Sequence, residues 1–140
     1  MSARTAAVRW LKFNAVGGIG IVVQLATLAA LTYGLRVNYM LATAVAVEAA
    51  VIHNFLWHER FTWADRVRVS TRESALRLLK FNLTTGLFSV LGNVVLMFLF
   101  AGMIGVPYVP ANLVTIATCS ILNFLVSDRF VFRVTNTRPT

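Results

Sequence analysis

Phe81 to Ser127 contains no Asp, Glu, Lys or Arg. One helical crossing of a bilayer core takes about 20 apolar residues. This stretch is therefore long enough for two crossings, with a break at Gly102, Gly105, Pro107 and Pro110. The first half reads the same way: no charge lies between Lys12 and Arg36, and from Val37 to Trp57 the only charge is Glu48. A chain of 140 residues that is 58% hydrophobic and 13% charged, with mean hydropathy +0.73, has more apolar surface than a small soluble core can hide. No segment shows the polar face of a soluble bundle helix. The expected fold class is therefore an all-α membrane protein with four transmembrane helices, near residues 13–34, 39–58, 79–103 and 109–127. The first apolar run is too long for a signal-peptide core. Cys119 stands alone inside the fourth span, where packing is its expected role.

The basic residues set the expected orientation. All of the 13 Lys and Arg except Arg36 lie in the N-terminal segment, the loop between spans two and three, or the C-terminal tail. The positive-inside rule then places both termini in the cytoplasm. The net charge of +8 is explained by orientation and by anionic membrane lipids, and nucleic acid is not an expected partner because no soluble domain presents a reading surface.

The chain also repeats itself. Arg9-Trp10-Leu11-Lys12-Phe13-Asn14 returns as Arg77-Leu78-Leu79-Lys80-Phe81-Asn82. Asn54-Phe55-Leu56 with Glu59-Arg60-Phe61 and Trp63 returns as Asn123-Phe124-Leu125 with Asp128-Arg129-Phe130 and Phe132. Gly18 matches Gly86 and Tyr39 matches Tyr108, a shift of 68 to 69 residues. With four spans, the copies (about residues 9–63 and 77–132) enter the membrane in the same direction, as parallel two-helix repeats of a single membrane domain over 1–140. Residues 64–69 are the expected linker. Ser70-Thr71-Arg72-Glu73 fits a capping box that starts the third helix. Ala42, Ala46, Ala49 and Ala50 give span two a small-residue stripe. Gly17, Gly18 and Gly20, with Gly86, Ser89 and Gly92, allow close helix approach in the other two.

Polar chemistry recurs at one edge of this apolar body. Lys12 and Lys80 stand at helix starts, where free amides and the helix dipole favour phosphate. Arg60 and Arg129 close the partner helices at the same face, and together the four cations read as a phosphate or headgroup site. Asn54 and Asn123, about one turn inside, are placed either to bond across helices or to receive a headgroup. Glu48 lies near the middle of span two, where a charge costs about 2.5–3.5 kcal/mol on an insertion scale. It is expected to face the bundle interior or a subunit interface, with Gln24, Asn93 and His53 as the nearest members of an intramembrane polar path. Its repeat counterpart is Ala117. The two histidines lack ligand partners at metal spacing, no metal or cofactor is expected, and no nucleophile, phosphate loop or paired carboxylates suggest an enzyme.

Four spans, the opening Arg9, Lys12, Phe13, Gly17 and Gly18, and Asn54-Phe55 followed by Arg60-Phe61-Thr62-Trp63 resemble the GtrA-like family. Asn123-Phe124 and Arg129-Phe130-Val131-Phe132 repeat the pattern, so the resemblance covers about residues 9–133. Glu59 and Asp128 depart from it, since many members have Asn before the Arg. The resemblance implies a multi-pass protein of the bacterial inner membrane that moves a polyprenyl-phosphate-linked sugar across the bilayer for cell-surface polysaccharide synthesis. It also implies a membrane glycosyltransferase as partner. Four short helices enclose little volume, so a homo-oligomer is expected. Two other readings are a scaffold that recruits a glycosyltransferase without transport, and a small proton-coupled exporter using Glu48.

Overall fold

A computed structural model describes residues 3–67 and 70–134, and the side chains of all of these except Tyr39, Tyr108 and Val109. The expected linker at 64–69 thus ends outside the described residues. The described chain is helical, and four stretches are long and apolar enough to cross a membrane: Ala3–Gly34, Met40–Thr62, Thr71–Met103 and Pro110–Val131. The chain divides into two units, Met1–Val67 and Arg68–Thr140.

In the first unit, α1 (Ala3–Ala29) packs on α2 (Tyr39–Trp57). At 1.5 Å per residue, the 27 residues of α1 span about 40 Å, more than the roughly 30 Å of a hydrocarbon core. Its first turns, with Arg4 and Arg9, therefore have length to spare beyond the apolar layer. This is why the helix starts ten residues before the expected span: hydropathy marks the membrane, while backbone hydrogen bonding continues past it. The face of α2 turned to α1 is Ala42, Ala46 and Ala50, all buried. Small side chains at every fourth position let the two backbones come close, and Gly20 answers from α1. A Cβ on Gly20 would sit 2.1 Å from Asn54 Oδ1. Gly17 and Gly18, expected to serve the same contact, have open space where a side chain would stand.

In the second unit, α3 (Thr71–Met97) packs on α4 (Tyr108–Val126). The buried face of α4 is Ala111, Thr115 and Cys119. Gly92 is the close-approach position on α3, since a Cβ there would meet Cys119 Sγ at 2.9 Å, whereas Gly86 faces open space. Ser89 takes part differently, accepting a hydrogen bond from Asn123 Nδ2 at 3.0 Å.

Helix ends are shaped by specific residues. Ser70 occupies the cap position of α3 with extended backbone, and its carbonyl accepts from Ser74 N, but its side chain makes no cap bond. The expected capping box is therefore only half realised. Glu73 lies instead 3.6 Å from Arg77, one turn ahead, because a guanidinium outbids a neutral backbone amide for a carboxylate. Asn38 does cap α2, accepting from Met40 N at 2.9 Å. All four helices finish in a π-helical turn: Ala30–Gly34, His58–Thr62, Phe98–Met103 and Ser127–Val131. Bonds five residues apart close them, from Leu35 to Ala30, Trp63 to His58, Ile104 to Leu99 and Phe132 to Ser127. Such turns are rare and gather at functional positions. Beyond the first and third turns the backbone reverses at Arg36 (φ 52°) and Gly105 (φ 77°).

Candidate functional site

The start of α1 meets the last turn of α2 at one end of the first unit. Arg9 and Lys12 are three residues apart, so they share a helix face. Arg9 is buried and forms an ion pair with Asp65. Lys12 Nζ stands 4.5 Å above the centre of the Phe61 ring and donates to the Phe61 carbonyl at 3.5 Å. A cation held over a ring face keeps its charge available to an anion approaching from the other side. Arg4, Arg9, Lys12, Phe61, Thr62 and Asp65 line a cavity of about 380 Å³.

Beneath it is an aromatic plug. Phe13 lies flat on His58, with centroids 4.7 Å apart and planes 10° apart. The fully buried Trp63 meets both rings edge-on. His58 Nδ1 is 3.1 Å from Thr62 Oγ1. Glu59 is 2% exposed, so this end buries one carboxylate and one guanidinium; buried ions of opposite sign offset part of each other's desolvation.

The second unit places related residues in the same local elements. Arg77 is buried, within 3.6 Å of Glu73, and donates to Ser74 Oγ at 3.3 Å. Lys80 Nζ stands 5.4 Å from the centre of the Phe130 ring. Asp128 and Ser127 are buried, and Phe81 meets the fully buried Phe132 edge-on at 6.1 Å. Glu73, Leu76, Arg77, Lys80, Phe130 and Arg133 line most of a cavity of about 370 Å³. The substitution of Ser127 for a histidine removes the stacked pair, and the Ser127 hydroxyl is buried with no hydrogen-bond partner.

The expected cations are thus sorted rather than pooled. Lys12 and Lys80 line cavities with Arg9 and Arg77, two arginines that sequence reasoning quoted in the repeat but did not place in the site. Arg60 is exposed and does not line the Lys12 cavity. Arg129 is exposed and lines a separate apolar groove with Thr84, Phe88, Leu125, Val126 and Phe130. Arg-x-x-Lys spacing was the available signal for Arg9 and Arg77. The separation of Arg60 from Lys12 follows from its neighbour Phe61, which takes the lysine side of the turn.

The asparagines serve the helix contacts. Asn54 closes over Gly20, with Oδ1 3.2 Å from His53 Nδ1, and Asn123 bonds Ser89 while its own Oδ1 is buried with no partner. Of the expected polar path, Glu48 is exposed on α2, Gln24 is half-buried, and His53 also lies 6.3 Å from the Trp57 ring. Asn93 belongs to the second unit and donates to the Ser89 carbonyl of its own helix at 2.7 Å.

A family model described as GtrA/DPMS, transmembrane domain, matches residues 12–132. Comparison with curated proteins finds no match.

Proposed function

The chain belongs to the GtrA/DPMS transmembrane-domain family, and on that premise we propose that it translocates a polyprenyl-phosphate-linked sugar across the bacterial inner membrane. One observation supports this above the others. Each unit holds a lysine over a phenylalanine ring at the wall of a basic cavity, Lys12 on Phe61 and Lys80 on Phe130, at the end of an apolar helix pair. A lipid phosphate needs that combination: a charge it can reach from the interface, and apolar surface below for the chain.

In this reading the two units are parallel repeats, both termini are cytoplasmic, and both cavities open to that side. Arg9 and Arg77 add fixed charge behind the mobile lysines. Arg60 and Arg129 attract the phosphate at the rim, and Asn54 and Asn123 shape the helix contacts beneath it. Glu48, on the outward face of α2, marks the contact with another copy of the chain, since an ionisable group at mid-membrane requires polar company. Gln24, His53 and Asn93 provide the remaining hydrogen-bonding groups for the sugar. The protein carries no chemistry of its own here and works beside the glycosyltransferase that loads the carrier.

Reconstitution into liposomes with a labelled polyprenyl-phosphate sugar tests the proposal. The wild type is expected to move label between leaflets, and the variant carrying both Lys12→Ala and Lys80→Ala to lose that movement. Purified protein that moves no lipid but binds the transferase would establish the scaffold role instead.

A further inference from the structure

The two units differ beside their shared phenylalanine. In the second, Phe130 is a wall of two spaces at once. On one side is the basic cavity with Arg77, Lys80 and Arg133. On the other is a groove of about 490 Å³ walled by Thr84, Phe88, Leu125 and Val126, with Arg129 as its one charged lining residue. Its size falls within the range of ligand pockets. Thr84 brings little polarity to it, because its hydroxyl is spent on the Lys80 carbonyl at 2.7 Å.

In the first unit, the positions matching Val126 and Phe88 by the 68–69 shift are Trp57 and Gly20. The Trp57 ring stands edge-on to Phe61 at 6.3 Å, on the flank that Val126 leaves open beside Phe130. Gly20 supplies no wall, since Asn54 closes over it.

We propose that the groove of the second unit, between Phe88 and Phe130, is the seat of the hydrocarbon chain of an isoprenoid phosphate whose phosphate lies in the adjoining Lys80 cavity. The two units are then unequal: both offer a cation to the phosphate, and the second also holds the chain. Charge complementarity selects the occupant. A neutral acyl chain would gain nothing from Arg129, whereas a chain ending in a phosphate places an anion between Arg129 and Lys80 on either side of Phe130. The inference rests on the lipid-phosphate reading above and narrows it to one half of the molecule.

Photo-cross-linking of the full-length protein in liposomes tests it, using a polyprenyl monophosphate with a diazirine in the chain. A phosphatidylcholine bearing the same group serves as control. Cross-links from the isoprenoid are expected over residues 84–88 and 125–130, in excess over the control. Arg129→Gln is expected to weaken them about tenfold, the loss of one charge-assisted contact. Val126→Trp, which copies the residue at position 57, should abolish them; because Arg129→Gln leaves the packed face of α4 intact, it decides the question even if Val126→Trp does not accumulate. Equal labelling by both lipids, or isoprenoid labels confined to the first unit, overturns the proposal even where liposomes show transport. Groove labelling without transport would retain the chain seat and remove the translocation role.

Discussion

Gly20 and Gly17 are both glycines of one helix, three residues apart, yet they have opposite roles. Adding a methyl at Gly20 drives it into Asn54, so Gly20→Ala should destabilise the α1–α2 pair by about 1–3 kcal/mol through overpacking. Gly17→Ala meets open space and should be neutral or stabilise the helix by up to about 1 kcal/mol. Denaturation in detergent micelles, followed by helix content, separates the two. The sequence showed three glycines in span one without saying which one met α2, because that depends on the face the partner helix covers. Arg36 offers a second test. Its backbone sits at φ 52°, where a side chain costs about 1–2 kcal/mol, so Arg36→Gly should raise the melting temperature of the purified protein. The matching position, Gly105, already has a glycine in that conformation.

At the scale of elements, the spans were legible and the sites at their ends were only half so. Charge-free runs located all four helices, since the membrane imposes a composition rule that single residues cannot disguise. Helix starts were misjudged in α1, which continues to Ala3, because arginines are good helix formers even where they end an apolar window. The motif repeat located Lys12, Lys80 and their aromatic partners. It did not disclose that Arg60 and Arg129 turn away from the lysines, because side-chain direction in the last turn depends on π-helical geometry that no residue pattern announced. The aromatic plug was missed for a related reason: His58 looked isolated in sequence, and only the turn brings it under Phe13. Trp63→Ala should therefore cost about 3–5 kcal/mol and release Phe13 and His58 together, which the loss of near-ultraviolet circular dichroism in the melt would report.

For the whole molecule, the expectation concerns how the halves share work. If both cavities hold phosphate, Lys12→Ala and Lys80→Ala should each weaken binding of a polyprenyl phosphate severalfold, and binding should fall with rising salt in the wild type more steeply than in the double variant. Equilibrium binding in nanodiscs at two ionic strengths measures this. The proposed orientation has its own check: single cysteines at positions 36 and 70, in a background with Cys119→Ser, should react with an impermeant maleimide from opposite sides of right-side-out vesicles. Cys119 is buried against Gly92 and tolerates a near-isosteric exchange.

The five-residue turns that end the helices carry a consequence for chain length. In an α-helix each residue advances the face by about 100°. Removing any one residue between His58 and Thr62 would tighten that turn and swing everything after it by about that angle. Trp63 would leave the plug, and Asp65 would leave Arg9. The last turn of α2 is therefore a counting device: substitutions within it change chemistry, but a single deletion there would misdirect the residues that follow while leaving the helix and its apolar face intact.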